Sequence, residues 1–188
     1  MKTVAMLLML PAMAGMTACS HDAGTAPVPR PRAYPRIELT GGGTRTIDVA
    51  GVSIAIDSAA EAAEGAGGAL TVNYAAEGAT LFLSVRTGLH DGALADALAN
   101  RRERMALNLG GAVGRTDTFL DSAGYNCLIN RALEAGVPTP VQLLAWNDSL
   151  GTLVWGAFVW HTAPESTDSV APVADALYAK AFKILESL

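Results

Sequence analysis

The chain is short of charge and of aromatic rings. Of its 188 residues, 16% are charged and 6% are aromatic, while 51% are hydrophobic. So apolar a composition excludes a chain held open by charge repulsion and is enough for one domain with a real core. The balance of 13 basic against 18 acidic residues also argues against nonspecific binding to nucleic acid. Cysteine and histidine are scarce: Cys19 and Cys127, and His21, His90 and His161. None stands in a C-x-x-C or H-E-x-x-H pair, so no metal site is expected and nothing calls for a cofactor. No G-x-S-x-G elbow is present to raise a nucleophilic serine on a strained turn. Nor is there an uninterrupted run of about 20 apolar residues that would read as a membrane-spanning helix.

What is present begins with an address. One positive charge at Lys2 precedes a hydrophobic run from Val4 to Leu10, then small residues up to Cys19. This reads as a signal peptide over residues 1–18. Its end, Met16-Thr17-Ala18-Cys19, resembles a bacterial lipobox, with Met16 where leucine is usual. Cys19 is then the acylated N-terminus of the mature chain. An ordinary signal peptide cut near Ala18 is the alternative. Each buried methylene of an acyl chain contributes about 0.8 kcal/mol, and more than one chain gives stable anchoring. Removal of residues 1–18 leaves 12 basic and 18 acidic residues, a formal charge of −6.

Residues 19–35 form a tether. The stretch from Ser20 to Pro35 has four prolines and little that could pack. Proline removes backbone donors and favours an extended spacer, about 3 Å per residue and roughly 50 Å in all. Residues 36–188 then form a single domain. With Cys19 acylated, Cys127 has no partner within the chain. In the alternation Tyr125, Cys127, Ile129 it falls on an inward strand face as a small apolar group.

Within the domain, Ile47, Val49, Val52, Ile54 and Ile56 alternate on either side of Ala50-Gly51, as in a hairpin. The small, glycine-rich stretch from Glu61 to Gly68 is expected to be a loop or a frayed helical turn. Strands are expected at 70–74 and 80–86, with Leu81, Leu83 and Val85 sharing one face. Leu94, Leu98, Met105 and Leu109 then mark a helix, capped by Asp91 and ended by Gly110-Gly111. Arg101, Arg102 and Arg104 fall between these positions, on the expected solvated side. Strand signals return at 116–120, 125–129, 141–146 and 152–160. A last helix starts near Val170, capped by Asp168 or Ser169, with Pro172 in its first turn. This order predicts an α+β fold: an antiparallel sheet of about seven to eight strands with one central and one C-terminal helix packed on it. The order resembles the Mog1/PsbP-like sandwich.

Other candidate chemistry reduces to structure. Asp148, Ser149 and His161 can be drawn as a catalytic set, but Asp-Ser next to Gly151 is ordinary turn chemistry. The segment Gly110 to Thr116 has glycines and Arg115 but follows a helix instead of opening one, so no phosphate cradle is expected. Trp155 and Trp160 have opposite strand parity, so all three tryptophans cannot line one face without a bulge.

WNDSLGTLVWGAFVW, then DSVAPV and the final helix, resembles the gliding-motility lipoprotein GldD family. The matching features are the acidic-Ser turn at Asp148-Ser149, the Gly156-Ala157 pair inside a strand, and Asp168-Ser169 followed by Pro172. PRPRAYPRIEL resembles the family's proline-arginine opening, and LTVNYAAEGATLFLSV its paired strands. The resemblance implies a non-catalytic lipoprotein of the cell envelope, anchored through Cys19 and facing the periplasm. It further implies that the protein supports gliding motility and type IX secretion through other envelope proteins. Asp148, Ser149, Trp155 and Asp168 are the candidate contact residues. A periplasmic lipoprotein that binds a small ligand or glycan through tryptophan is the alternative, and a Ser149/His161 hydrolase a third.

Overall fold

The computed structural model describes residues 43–162, 164 and 167–188, with residues 167–170 described by backbone alone. The signal segment, Cys19 and the tether lie outside these residues. Alternation builds the first hairpin, β1 (Thr44–Val49) and β2 (Val52–Asp57), paired antiparallel. Its turn residues Ala50 and Gly51 both have positive φ, 53° and 82°. That is the turn hand that matches strand twist. The Gly51 N–H donates to Asp48 Oδ1 at 3.0 Å and fixes the turn.

The stretch expected as a loop is instead a strand, β3 (Glu61–Gly65), paired with β4 (Ala69–Tyr74). Ala62 and Ala63 have too little side chain to show a period. The strand forms because β4 offers a backbone ladder, and it stays at the sheet edge with exposed Glu61 and Glu64, as edge strands do. A 3₁₀ turn at Ala75–Glu77 leads to β5 (Ala79–Arg86). Helix α1 (Ala93–Leu109) follows. Its cap is Gly92, not Asp91, and no side chain caps it. Asp91 has φ 54° and sits in a turn closed by backbone: Ala93 N–H donates to His90 O at 3.0 Å, and Asp96 N–H to Gly92 O at 3.1 Å. Gly110, at φ 60°, ends the helix as expected.

The later strands are β6 (Gly114–Leu120), β7 (Asn126–Ala132), β8 (Val141–Asn147) and β9 (Thr152–Trp160). The final helix, α2 (Thr167–Glu186), begins earlier than expected. Asp168 and Ser169 are therefore inside it, and Pro172 lies beyond its first turn. Proline's fixed φ is helical, and the loss is one intrahelical hydrogen bond.

The α+β architecture is as expected. Seven antiparallel strands run in the order β3-β4-β5-β9-β8-β7-β6, and β1-β2 makes a separate sheet of two. Strand parity sorts the main sheet into two faces. On one face, Leu81, Leu83, Val85, Ile129 and Phe158 join Ile54 and Ile56 of the hairpin and Leu177, Ala181 and Ile184 of α2 in one core. Each of these is at most 2% exposed. On the opposite face α1 packs Leu94 and Met105 against Leu144 and Leu153. Gly156 is needed where β9 crosses β5, since a Cβ there would stand 2.8 Å from the Phe82 carbonyl oxygen. Among the described residues no helix is long and apolar enough to cross a membrane.

Candidate functional site

The register of three strands lays out the floor beneath α1. Phe82 pairs with Ala157 and Ala157 with Gln142; Ser84 pairs with Trp155 and Trp155 with Leu144; Arg86 pairs with Leu153 and Leu153 with Trp146. Buried Gln142 clamps the helix to this floor. Its Nε2 donates to the Met105 carbonyl at 3.1 Å, and its Oε1 accepts from Asn108 Nδ2 at 2.9 Å. Both ends of the amide are thereby satisfied, as a buried polar group requires.

Beside α1 the floor stays partly open. A groove of about 350 Å³ runs between the helix and the sheet, with half-buried Trp155 in its floor. Phe82, 51% exposed, stands on the sheet side, and Leu107, 70% exposed, on the helix side. Arg101 lies over the Trp155 ring, 4.1 Å from its centroid, and Arg86 approaches the same ring at 5.9 Å. Arg102 lies over Trp146 at 4.9 Å. Arg101 is therefore half-buried and not turned to solvent as expected, while Arg102 and Arg104 are exposed as expected. A planar guanidinium packs on an indole face and keeps its charge, so arginine tolerates a position that its charge alone would assign to water.

These arginines lack carboxylate partners. Among the described residues Arg86, Arg101, Arg102 and Arg104 form no ion pair, whereas Arg115, Arg131 and Lys180 each do. Glu103 lies on the same helix but pairs with none of the four. Burial, and after it the neighbouring charges of Arg104 and Arg86, lower the Arg101 pKa from its ordinary value. An acidic protein thus gathers four cations around two indole rings.

A second cavity, of about 410 Å³, is lined by Asp57, Tyr74, Glu77 and Lys180. It has a different character. Lys180 pairs with Asp57, reaches Glu77 Oε1 at 3.2 Å, and stands 4.9 Å over the Tyr74 ring. Burial, with Asp57 and Glu77 adding to it, raises the Tyr74 pKa well above its ordinary value. The cluster ties α2 to the hairpin and to the 3₁₀ turn, with Lys180 matched by two carboxylates.

The residues singled out in the sequence scatter. Asp148 and Ser149 are exposed at the β8–β9 turn. Asn147 builds that turn: its Oδ1 accepts from the Leu150 N–H at 3.0 Å and its Nδ2 donates to Ala123 O at 3.2 Å. His161 follows the opposite end of β9, where its Nε2 is 2.9 Å from Thr80 Oγ1. Nine strand residues, about 30 Å, separate Ser149 from His161, so the drawn catalytic set is not assembled. Asp168 belongs to the first turn of α2, and its side chain lies outside the described residues, as does Cys19. Only Trp155 falls in the groove. Trp160 packs against the core on the other face, as its parity required. Cys127 is 1% exposed, and burial pushes its thiol up to about 12. Among the described residues no group of three His, Cys, Asp or Glu is placed to hold a metal.

Arg86, Arg101, Arg102 and Lys180 are the residues that sequence reasoning missed. The arginines carried a usable signal: 101 and 102 follow Leu94 and Leu98 at seven, three and four residues, within reach of the buried helical face. Lys180 carried none, being 123 residues from Asp57. No protein-family model, curated protein or solved structure matches the chain.

Proposed function

We propose that this protein is a non-catalytic accessory of the bacterial cell envelope, acylated at Cys19 and facing the periplasm. It supports type IX secretion, and gliding where the host glides, by binding or stabilising partner proteins. The observation that carries the binding role is the groove beside α1, where Trp155 lies under Arg101 and near Arg86. Tryptophan and arginine are the residues most enriched at energetic centres of protein interfaces. The address rests on Met16-Thr17-Ala18-Cys19, and the secretion role on the resemblance of the C-terminal half to the GldD family.

Deletion of the gene, with complementation, tests this function. Loss of type IX export, restored by the native chain and not by Cys19→Ala, is expected. Unchanged export and unchanged partner abundance in the deletion strain would overturn it.

A second reading, a small-ligand or glycan-binding lipoprotein, is favoured by the groove's volume of about 350 Å³. That lies at the lower end of small-molecule sites. A saturable change in tryptophan emission with a sugar or small ligand, lost in Trp155→Leu, would establish it instead.

A further inference from the structure

The groove has two properties that together define an occupant. Its charge is of one sign, from arginines without carboxylate partners among the described residues. Its floor and lips are apolar, with Trp155 below, Phe82 on one side and Leu107 on the other.

We propose that this groove is a docking site for an acidic polypeptide segment of a partner protein, with apolar side chains among its carboxylates. The inference rests on the partner-binding function above and supplies the chemistry of the partner. The segment's carboxylates lie along Arg101 and Arg104, whose guanidinium N–H groups donate to them in two-point contacts. Its apolar side chains enter between Phe82 and Leu107 and cover the free part of the Trp155 ring. A flat anionic lipid surface fits less well, because Trp155 is in the floor beneath an arginine and does not project.

The test is isothermal titration of the full chain, held in zwitterionic detergent micelles. The probes are an extended peptide of about five residues alternating glutamate with phenylalanine, and its lysine-for-glutamate counterpart. Saturable binding of the acidic peptide, absent with the basic one and weakened by added salt, is expected. Arg101→Gln should weaken it about tenfold, the scale of losing one interface anchor. Leu107→Glu, at an exposed helix position that leaves the fold intact, should weaken it at least as much by placing like charge on the lip. Equal binding of both peptides, or none, would overturn the proposal. So would a heat of binding seen only when anionic lipid is added to the micelles, which would assign the patch to the membrane surface.

Affinity capture from the envelope separates this failure from failure of the function. Secretion or motility components captured equally by native protein and by Leu107→Glu would overturn the groove and leave the partner-binding function standing. Their absence from both captures, with unchanged export on deletion, would remove the function itself.

Discussion

The two faces of the main sheet handle charge in opposite ways. Under α2 the face is sealed, and the one lysine near it, Lys180, is matched by Asp57 and Glu77. Under α1 the face is only partly covered, and four arginines collect there without a carboxylate among the described residues. The same strands serve both, since odd and even residues of β5 point opposite ways. Leu81 and Leu83 are at most 1% exposed, while Phe82 between them is 51% exposed. A charge that is answered inside the chain ties elements together. A charge left unanswered, on an aromatic floor, is available to something else.

Substitutions that exchange the two faces should therefore behave differently. Phe158→Ala on the sealed face removes a fully buried ring packed beside Tyr74 and should cost about 4 kcal/mol in denaturant unfolding. Phe82→Ala on the open face should stay within about 0.5 kcal/mol in the same measurement. Next in size is Lys180→Met. It leaves Asp57 and Glu77 facing each other with 23% and 7% of their side chains exposed, and should cost about 3 kcal/mol. Arg101→Gln, which strands no carboxylate, should cost less than about 1 kcal/mol, chiefly its stacking on Trp155. Equal losses from Lys180→Met and Arg101→Gln would erase the contrast.

The sealed face also sets a pH dependence. The folded chain holds the Cys127 proton up to about 12 against an ordinary 9.0, and Tyr74 shifts in the same direction. Because the native state binds these protons more tightly than the unfolded chain, their stabilisation is complete below pH 9. It is lost as pH rises from about 9 toward 12. Unfolding curves should be flat in this respect through neutral pH and fall in that alkaline window, less steeply in Cys127→Ala. The smallest expected effect is chemical: Cys127 should resist a thiol reagent at neutral pH in the native protein and react once it is unfolded.

Much of the fold could be read from alternation. Leu81, Leu83 and Val85 declared one buried face, and the change of period after Arg86 declared α1. Gly110-Gly111 ended the helix as written. The strand at Glu61–Gly65 was illegible because alanine and glycine show no period, and its pairing is decided by β4. Asp91 looked like a cap because its side chain can act as one, but the turn closes through backbone and Gly92. The candidate site was legible only at Trp155. Arg101 was assigned to solvent by charge, although its guanidinium over an indole is half in water and half in the core; Arg102 is exposed as assigned. Lys180, Asp57 and Glu77 belong to three distant segments, and no local spacing joins them.

The contrast between faces comes to one direct measurement on Trp155. In a chain carrying Trp146→Phe and Trp160→Phe, its fluorescence is quenched with iodide and with caesium at constant ionic strength. Arg101 and Arg86 beside a half-buried ring should concentrate the anion, so iodide should quench well and caesium poorly. Arg101→Gln should narrow the gap. Equal quenching by both ions, or stronger quenching by caesium, would contradict the claim that this face presents unanswered positive charge on an accessible aromatic floor.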